Sequence, residues 1–98
     1  MIENEISKIV FEKGLKIHRK LGIGLLESVY EECLFYELQK TGLQTKRQEF
    51  LNIQYEDLLL EKAFRMDLLI ENKVVLEIKS VDALNNFHAA QLKNYKAW

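Results

Sequence analysis

The sequence predicts an α+β domain with a tendency to three layers, and three observations carry that prediction. Apolar residues recur near the helical period over roughly the first 40 residues. From Leu43 the period changes to a loose alternation, with Phe50, Ile53 and Tyr55 as strand formers. The run Val74-Val75-Leu76-Glu77-Ile78 is then almost continuously apolar. Such a run suits a central strand covered on both faces.

The first helix is expected over residues 2 to about 20. Ile6, Ile9, Val10, Leu15, Ile17 and Leu21 form its apolar series. Gly14 inside it costs about 1 kcal/mol relative to alanine, or marks close packing. Lys13, Lys16, Arg19 and Lys20 give its C-terminal half a positive face that matches the helix dipole. Gly22-Ile23-Gly24 breaks the helix. A second helix runs from Leu25 to about Thr41, with Leu26, Val29, Cys33, Leu34 and Leu38 as its apolar stripe. Gly42 stands at a C-cap position.

The first strand is expected from Gln44 to Tyr55, and Glu56-Asp57 is a turn. Leu58 to Ile70 resumes as a strand, bent near Lys62-Ala63. Glu71-Asn72-Lys73 is a short turn of hairpin type, and Asn72 tolerates positive φ. Lys73 to Ser80 is the third strand. Asp82 to Asn86 connects it to a last helix, expected from about Phe87 to the end at Trp98. The order is therefore α-α-β-β-β-α.

At 98 residues the chain makes one domain, residues 1–98, able to bury a modest core. Hydrophobic residues are 48% and charged residues 30%, the balance of a globular chain rather than a disordered one. The formal net charge of -1 gives no global basic field, so contact with a polyanion has to come from a local patch. The single cysteine, Cys33, excludes an intrachain disulfide and suits a small core residue in a reducing compartment. The opening MIENEISKIV does not read as a signal peptide, and no apolar run approaches the roughly 20 residues of a membrane span. The expectation is a cytoplasmic protein with no membrane association.

The chemistry concentrates in FRMDLLIENKVVLEIKS, Phe64 to Ser80. Asp67 lies on one strand, and Glu77 and Lys79 lie on the next. Alternation points Glu77 and Lys79 the same way and Leu76 and Ile78 the other. Charges inside apolar strands are costly unless partnered. One solution is a cross-strand ion pair in which Lys79 neutralises Asp67 or Glu77. The other is a divalent cation held by the Asp67 and Glu77 oxygens, with the Ile78 carbonyl as a third ligand. In that case Lys79 would orient or deprotonate an attacking water, or neutralise developing phosphate charge. The last helix adds His88, Gln91 and Tyr95 at spacings that share one helical face. Glu27 sits in the first turn of the second helix, where the dipole favours a carboxylate whatever else it does.

Gly24-Leu25-Leu26-Glu27-Ser28-Val29-Tyr30 matches the signature of the GxxExxY family. The wider stretches HRKLGIGLLESVYEECLFYEL, FRMDLLIENKVVLEIKS and HAAQLKNY resemble it too, so the resemblance covers nearly the whole chain. That family is placed in the PD-(D/E)xK nuclease-like superfamily. The resemblance implies a restriction-endonuclease-like αβββα core, here without the usual final strand. It implies that Asp67 is the motif aspartate, Glu77-Ile78-Lys79 the E-x-K, and Glu27 a metal-site carboxylate on the preceding helix. Gln91 and Tyr95 would line the site from the last helix. Met66 stands where the superfamily name has proline. The function implied is Mg²⁺- or Mn²⁺-dependent cleavage of phosphodiester bonds in nucleic acid. The alternative is a catalytically silent module that binds nucleic acid or a protein partner. A sheet lacking its last strand would expose an edge, through which two copies could pair.

Overall fold

The computed structural model describes residues 1–22 and 24–78 with their side chains, and residues 87–91 as backbone. Its elements are α1 (Glu3–Leu21), α2 (Glu27–Lys40), β1 (Thr45–Tyr55), β2 (Leu58–Ile70), β3 (Val74–Ile78) and β4 (Phe87–Gln91). The four strands form one antiparallel sheet in the order β1-β2-β3-β4. The fold is α+β, as expected, with both helices against one face of the sheet.

α1 buries Ile6, Val10, Gly14 and Ile17, a stripe at i+4 and i+3 spacing. It ends at Gly22, where φ is 84°. That left-handed conformation suits glycine and lets the Gly22 amide donate to the His18 carbonyl at 2.8 Å. Gly42 plays the same part after α2, with φ 85° and its amide on the Gln39 carbonyl at 3.0 Å.

α2 presents a different face from the one its apolar residues suggest. Leu26 is 71% exposed and Val29 36%, whereas Glu31 and Glu37 are each 8% exposed. The reason is electrostatic. Both carboxylates find cations from distant parts of the chain, Arg47 for Glu31 and Lys16 for Glu37. Paired and hydrogen-bonded, a carboxylate can occupy a buried face that it could not occupy alone.

The main core joins Ile6, Val10 and Ile17 of α1, Tyr30, Leu34 and Leu38 of α2, and Leu68, Ile70, Val74, Leu76 and Ile78 of the sheet. Each fully buried aliphatic side chain contributes about 1.5–3 kcal/mol. Met66, Leu69 and Val75 form a second cluster with Leu51 and Phe64 packed against it. β3 is thus buried by alternate residues of both clusters, as suits an inner strand of the sheet.

The β2–β3 hairpin turns through Glu71 and Asn72, both at positive φ (55° and 54°), the backbone that a tight hairpin turn requires. The expected bend in β2 is also present. Between the pairs Leu51↔Phe64 and Ile53↔Leu60, one residue of β1 faces three of β2. Lys62 has φ 53° there, and its amide donates to the Asn52 Oδ1 at 2.9 Å.

One expected element is not formed as such. Phe87–Gln91, assigned to the start of a helix, is strand β4, paired with β3 from Ile78↔Phe87 to Val74↔Gln91. Alanines favour a helix locally. The buried strand β3, however, needs partners for its second row of backbone groups, and β4 supplies them. His88 and Gln91, three apart, therefore do not share a face as they would on a helix. Lys79, the Asp82–Asn86 connection and Tyr95 lie outside the described residues.

Candidate functional site

Asp67 and Glu77 lie at the open end of the β2–β3 hairpin. The paired residues of β2 and β3 end at Leu68↔Leu76, and the same register continued by one residue sets Asp67 against Glu77. The Asp67 Oδ2 accepts a hydrogen bond from the Ile78 amide at 2.9 Å. The aspartate is thereby fastened to the strand that carries Glu77, immediately beside that residue. Its other oxygen, Oδ1, lies 3.5 Å from the Arg65 Nη2. The Asp67 side chain is only 16% exposed, and Glu77 is half-buried. Among the described residues the cation beside Asp67 is therefore Arg65, two positions back on the same strand, a partner that the sequence reading did not single out.

Opposed residues in an antiparallel pair have Cβ atoms about 4.5–5.5 Å apart. Neighbouring carboxylates repel, and Arg65 offsets part of the charge on Asp67. Their oxygens are hard donors, and Mg²⁺ takes one or two carboxylates and keeps several waters. The Asp67 and Glu77 carboxylates are donors of the type such an ion takes. A larger carboxylate cage does not form: among the described residues no group of three or more His, Cys, Asp or Glu could hold a metal. Glu27 lies exposed in the first turn of α2 and does not join the other two in one cluster.

The signature around Glu27 nevertheless has a clear structural role. Gly24 has φ 82°, which permits the turn between the helices. Tyr30, 4% exposed, donates from its hydroxyl to the Gly22 carbonyl at 3.0 Å. The tyrosine ties the start of α2 to the end of α1 and so fixes where Glu27 stands. β4 sets His88 against Glu77 in the ladder and Gln91 against Val74, at the opposite end of β3 from Glu77.

A charged network that sequence reasoning missed lies next to this hairpin. Arg47 Nε and Nη2 donate to the Glu31 Oε2 at 3.0 and 2.8 Å. Its Nη1 lies 2.8 Å from the Glu32 Oε2, and the guanidinium sits 5.1 Å from the centre of the Phe35 ring. Gln48 Nε2 donates to the Glu31 Oε1 at 2.6 Å. The hydrogen bond from Arg47 to Glu31 is the largest cause holding the Arg47 pKa above its ordinary value. The available signal was weak: an Arg-Gln pair at the start of a strand and a glutamate four residues after Glu27.

The second buried carboxylate of α2 belongs to the helix pair. Glu37 accepts from Lys16 Nζ at 3.0 Å and lies 3.6 Å from Lys40 Nζ. The Lys16 hydrogen bond holds its pKa below the usual carboxylate value, against the opposing effect of burial. Beside it, Ile17, Leu21, Cys33 and Tyr36 line an apolar recess between the helices.

No helix among the described residues is long and apolar enough to cross a membrane. No curated protein and no solved structure matches the chain. The family model of the PD-(D/E)XK nuclease superfamily matches residues 4–97, almost the full length. The chain belongs to the PD-(D/E)XK nuclease superfamily.

Proposed function

We propose that this chain is a Mg²⁺- or Mn²⁺-dependent nuclease that hydrolyses phosphodiester bonds in nucleic acid. The observation that carries the reading is the 2.9 Å bond from the Ile78 amide to Asp67, which holds the aspartate against the strand of Glu77. In this reading Asp67 and Glu77 hold the ion, and the Ile78 carbonyl adds a third oxygen. A bound divalent ion would supply a polarised phosphoryl oxygen and a water of lowered pKa. Lys79 is two residues beyond Glu77 in the sequence. It orients the attacking water or takes part in its deprotonation. The reading leaves Glu27 outside the ion's direct ligands and gives it, with Tyr30, the placement of α2.

The test is incubation with DNA and RNA in Mg²⁺ or Mn²⁺, with Lys79→Ala and Glu77→Gln as controls. Cleavage is expected from the natural chain and lost in both variants. Cleavage unchanged by Lys79→Ala would assign the activity elsewhere. One observation favours a second reading, a silent module that binds nucleic acid or a protein partner without cutting it. The net charge of -1 gives the chain no general pull on a polyanion. Salt-dependent, metal-indifferent binding with no product would mark that reading. Pairing of two copies along β1, an outer strand of the sheet, is the association the fold offers. Sedimentation over a range of concentrations tests it, and a monomer throughout would exclude it. We place the protein in the cytoplasm, and an active fusion found only outside that compartment would overturn that placement.

A further inference from the structure

Gln48 has φ 53°, a left-handed backbone in the middle of β1. For a residue with a Cβ this costs about 1–2 kcal/mol, and it persists only where the surroundings impose it. The pairs Arg47↔Leu68 and Glu49↔Met66 put Gln48 opposite Asp67. The one irregular residue in this part of β1 therefore lies across the ladder from the candidate metal ligand.

What imposes the conformation is visible in the hydrogen bonds. Successive strand residues ordinarily face opposite sides of a sheet. Here Arg47 and Gln48 both reach Glu31, through contacts of 2.8–3.0 Å and 2.6 Å. The left-handed turn at Gln48 is what lets two neighbours address one carboxylate. Glu31 is 8% exposed and rigidly set on α2, so it acts as the fixed end of the clamp. On the facing strand the burial changes phase at the same place. Leu68 and Ile70 pack with the helices, whereas Met66 packs with Leu69 and Val75. Asp67 sits at that change of phase, with its carboxylate turned to the Ile78 amide.

We infer that Glu31 and Gln48 are positioning residues for Asp67. By drawing Arg47 and Gln48 onto one carboxylate, α2 fixes an irregularity in β1, and that irregularity aims Asp67 along the sheet at Ile78 and Glu77. This rests on the reading that Asp67 and Glu77 hold the ion. It adds that metal affinity is set from α2, without α2 supplying a ligand.

The experiment compares Gln48→Ala, Gln48→Gly and Glu31→Gln with the natural chain. Two quantities are read: Mn²⁺ affinity by calorimetry, and hydrogen exchange of the Ile78 amide by NMR without metal. Gln48→Ala removes the tether and keeps the strain. It should weaken Mn²⁺ binding by about 10- to 100-fold, the range for a residue that orients a ligand. It should also speed Ile78 exchange. Gln48→Gly removes the tether and the strain together, and should recover part of both effects. A purely structural hydrogen bond would give no such recovery. Unchanged Ile78 exchange in Gln48→Ala and Glu31→Gln would overturn the inference. So would equal losses in the alanine and glycine variants. Should the natural chain bind no Mn²⁺, the metal reading fails, and Ile78 exchange alone still decides whether the clamp aims Asp67.

Discussion

The two ends of β2 share one strand and nearly one composition, yet they have opposite fates. Leu58, Leu59 and Leu60 are 56%, 52% and 41% exposed. Leu68, Leu69 and Ile70 are 0%, 7% and 0% exposed. What separates them is what lies across the strand. Among the described residues the outer end pairs with β1 alone, as a hairpin. The inner end has β1 on one side, β3 on the other and two helices beneath. The break between them is the irregularity at Lys62, where Asn52 holds the turned backbone. An aliphatic triplet does not locate a core. The topology does, and the candidate site is built at the buried end, where burial can hold carboxylates in fixed positions.

That contrast can be broken by substitution. Leu68→Ala should cost about 2–5 kcal/mol in urea unfolding, because it empties volume under both helices. A smaller loss is expected from acid. Glu37 has a lowered pKa in the folded state, so its contribution is present above the unfolded value of 4.5 and is lost as pH falls through its folded pKa. Thermal unfolding should therefore become less favourable to the folded state below about pH 4.5, and Glu37→Gln should flatten that part of the profile. Asn52→Ala should cost about 1 kcal/mol, the worth of one ordinary hydrogen bond, and should loosen amide exchange in the outer hairpin first. Leu59→Ala should change stability by no more than about 0.5 kcal/mol. If Leu59→Ala proved as costly as Leu68→Ala, the outer hairpin would have to be packed in solution, and the contrast would fail.

Much of the fold was legible because its signals are local. The helical series before Gly22, the glycine after Thr41, the Glu71-Asn72 turn and the bend at Lys62 each depend on residues a few positions apart. The neighbouring placement of Asp67 and Glu77 was legible, since alternation and a short hairpin nearly fix it. The rest depended on long-range partners. Glu31 and Glu37 look solvated in the sequence, and only Arg47 and Lys16, 16 and 21 residues away, make them buried. The left-handed backbone at Gln48 follows from the same clamp and has no sequence signature, since glutamine has no special preference for it. β4 was missed because the need it answers is the open backbone of β3, which no local propensity reports.

The central claim is that Asp67 and Glu77 form one divalent-metal site across the β2–β3 ladder. Calorimetric titration of Mn²⁺ into the natural chain and into Asp67→Asn and Glu77→Gln tests it most directly, with circular dichroism to confirm that each variant folds. The account predicts one saturable site in the natural chain and its loss in either folded variant. Binding of equal strength in all three, or no saturable binding in the natural chain, would contradict it.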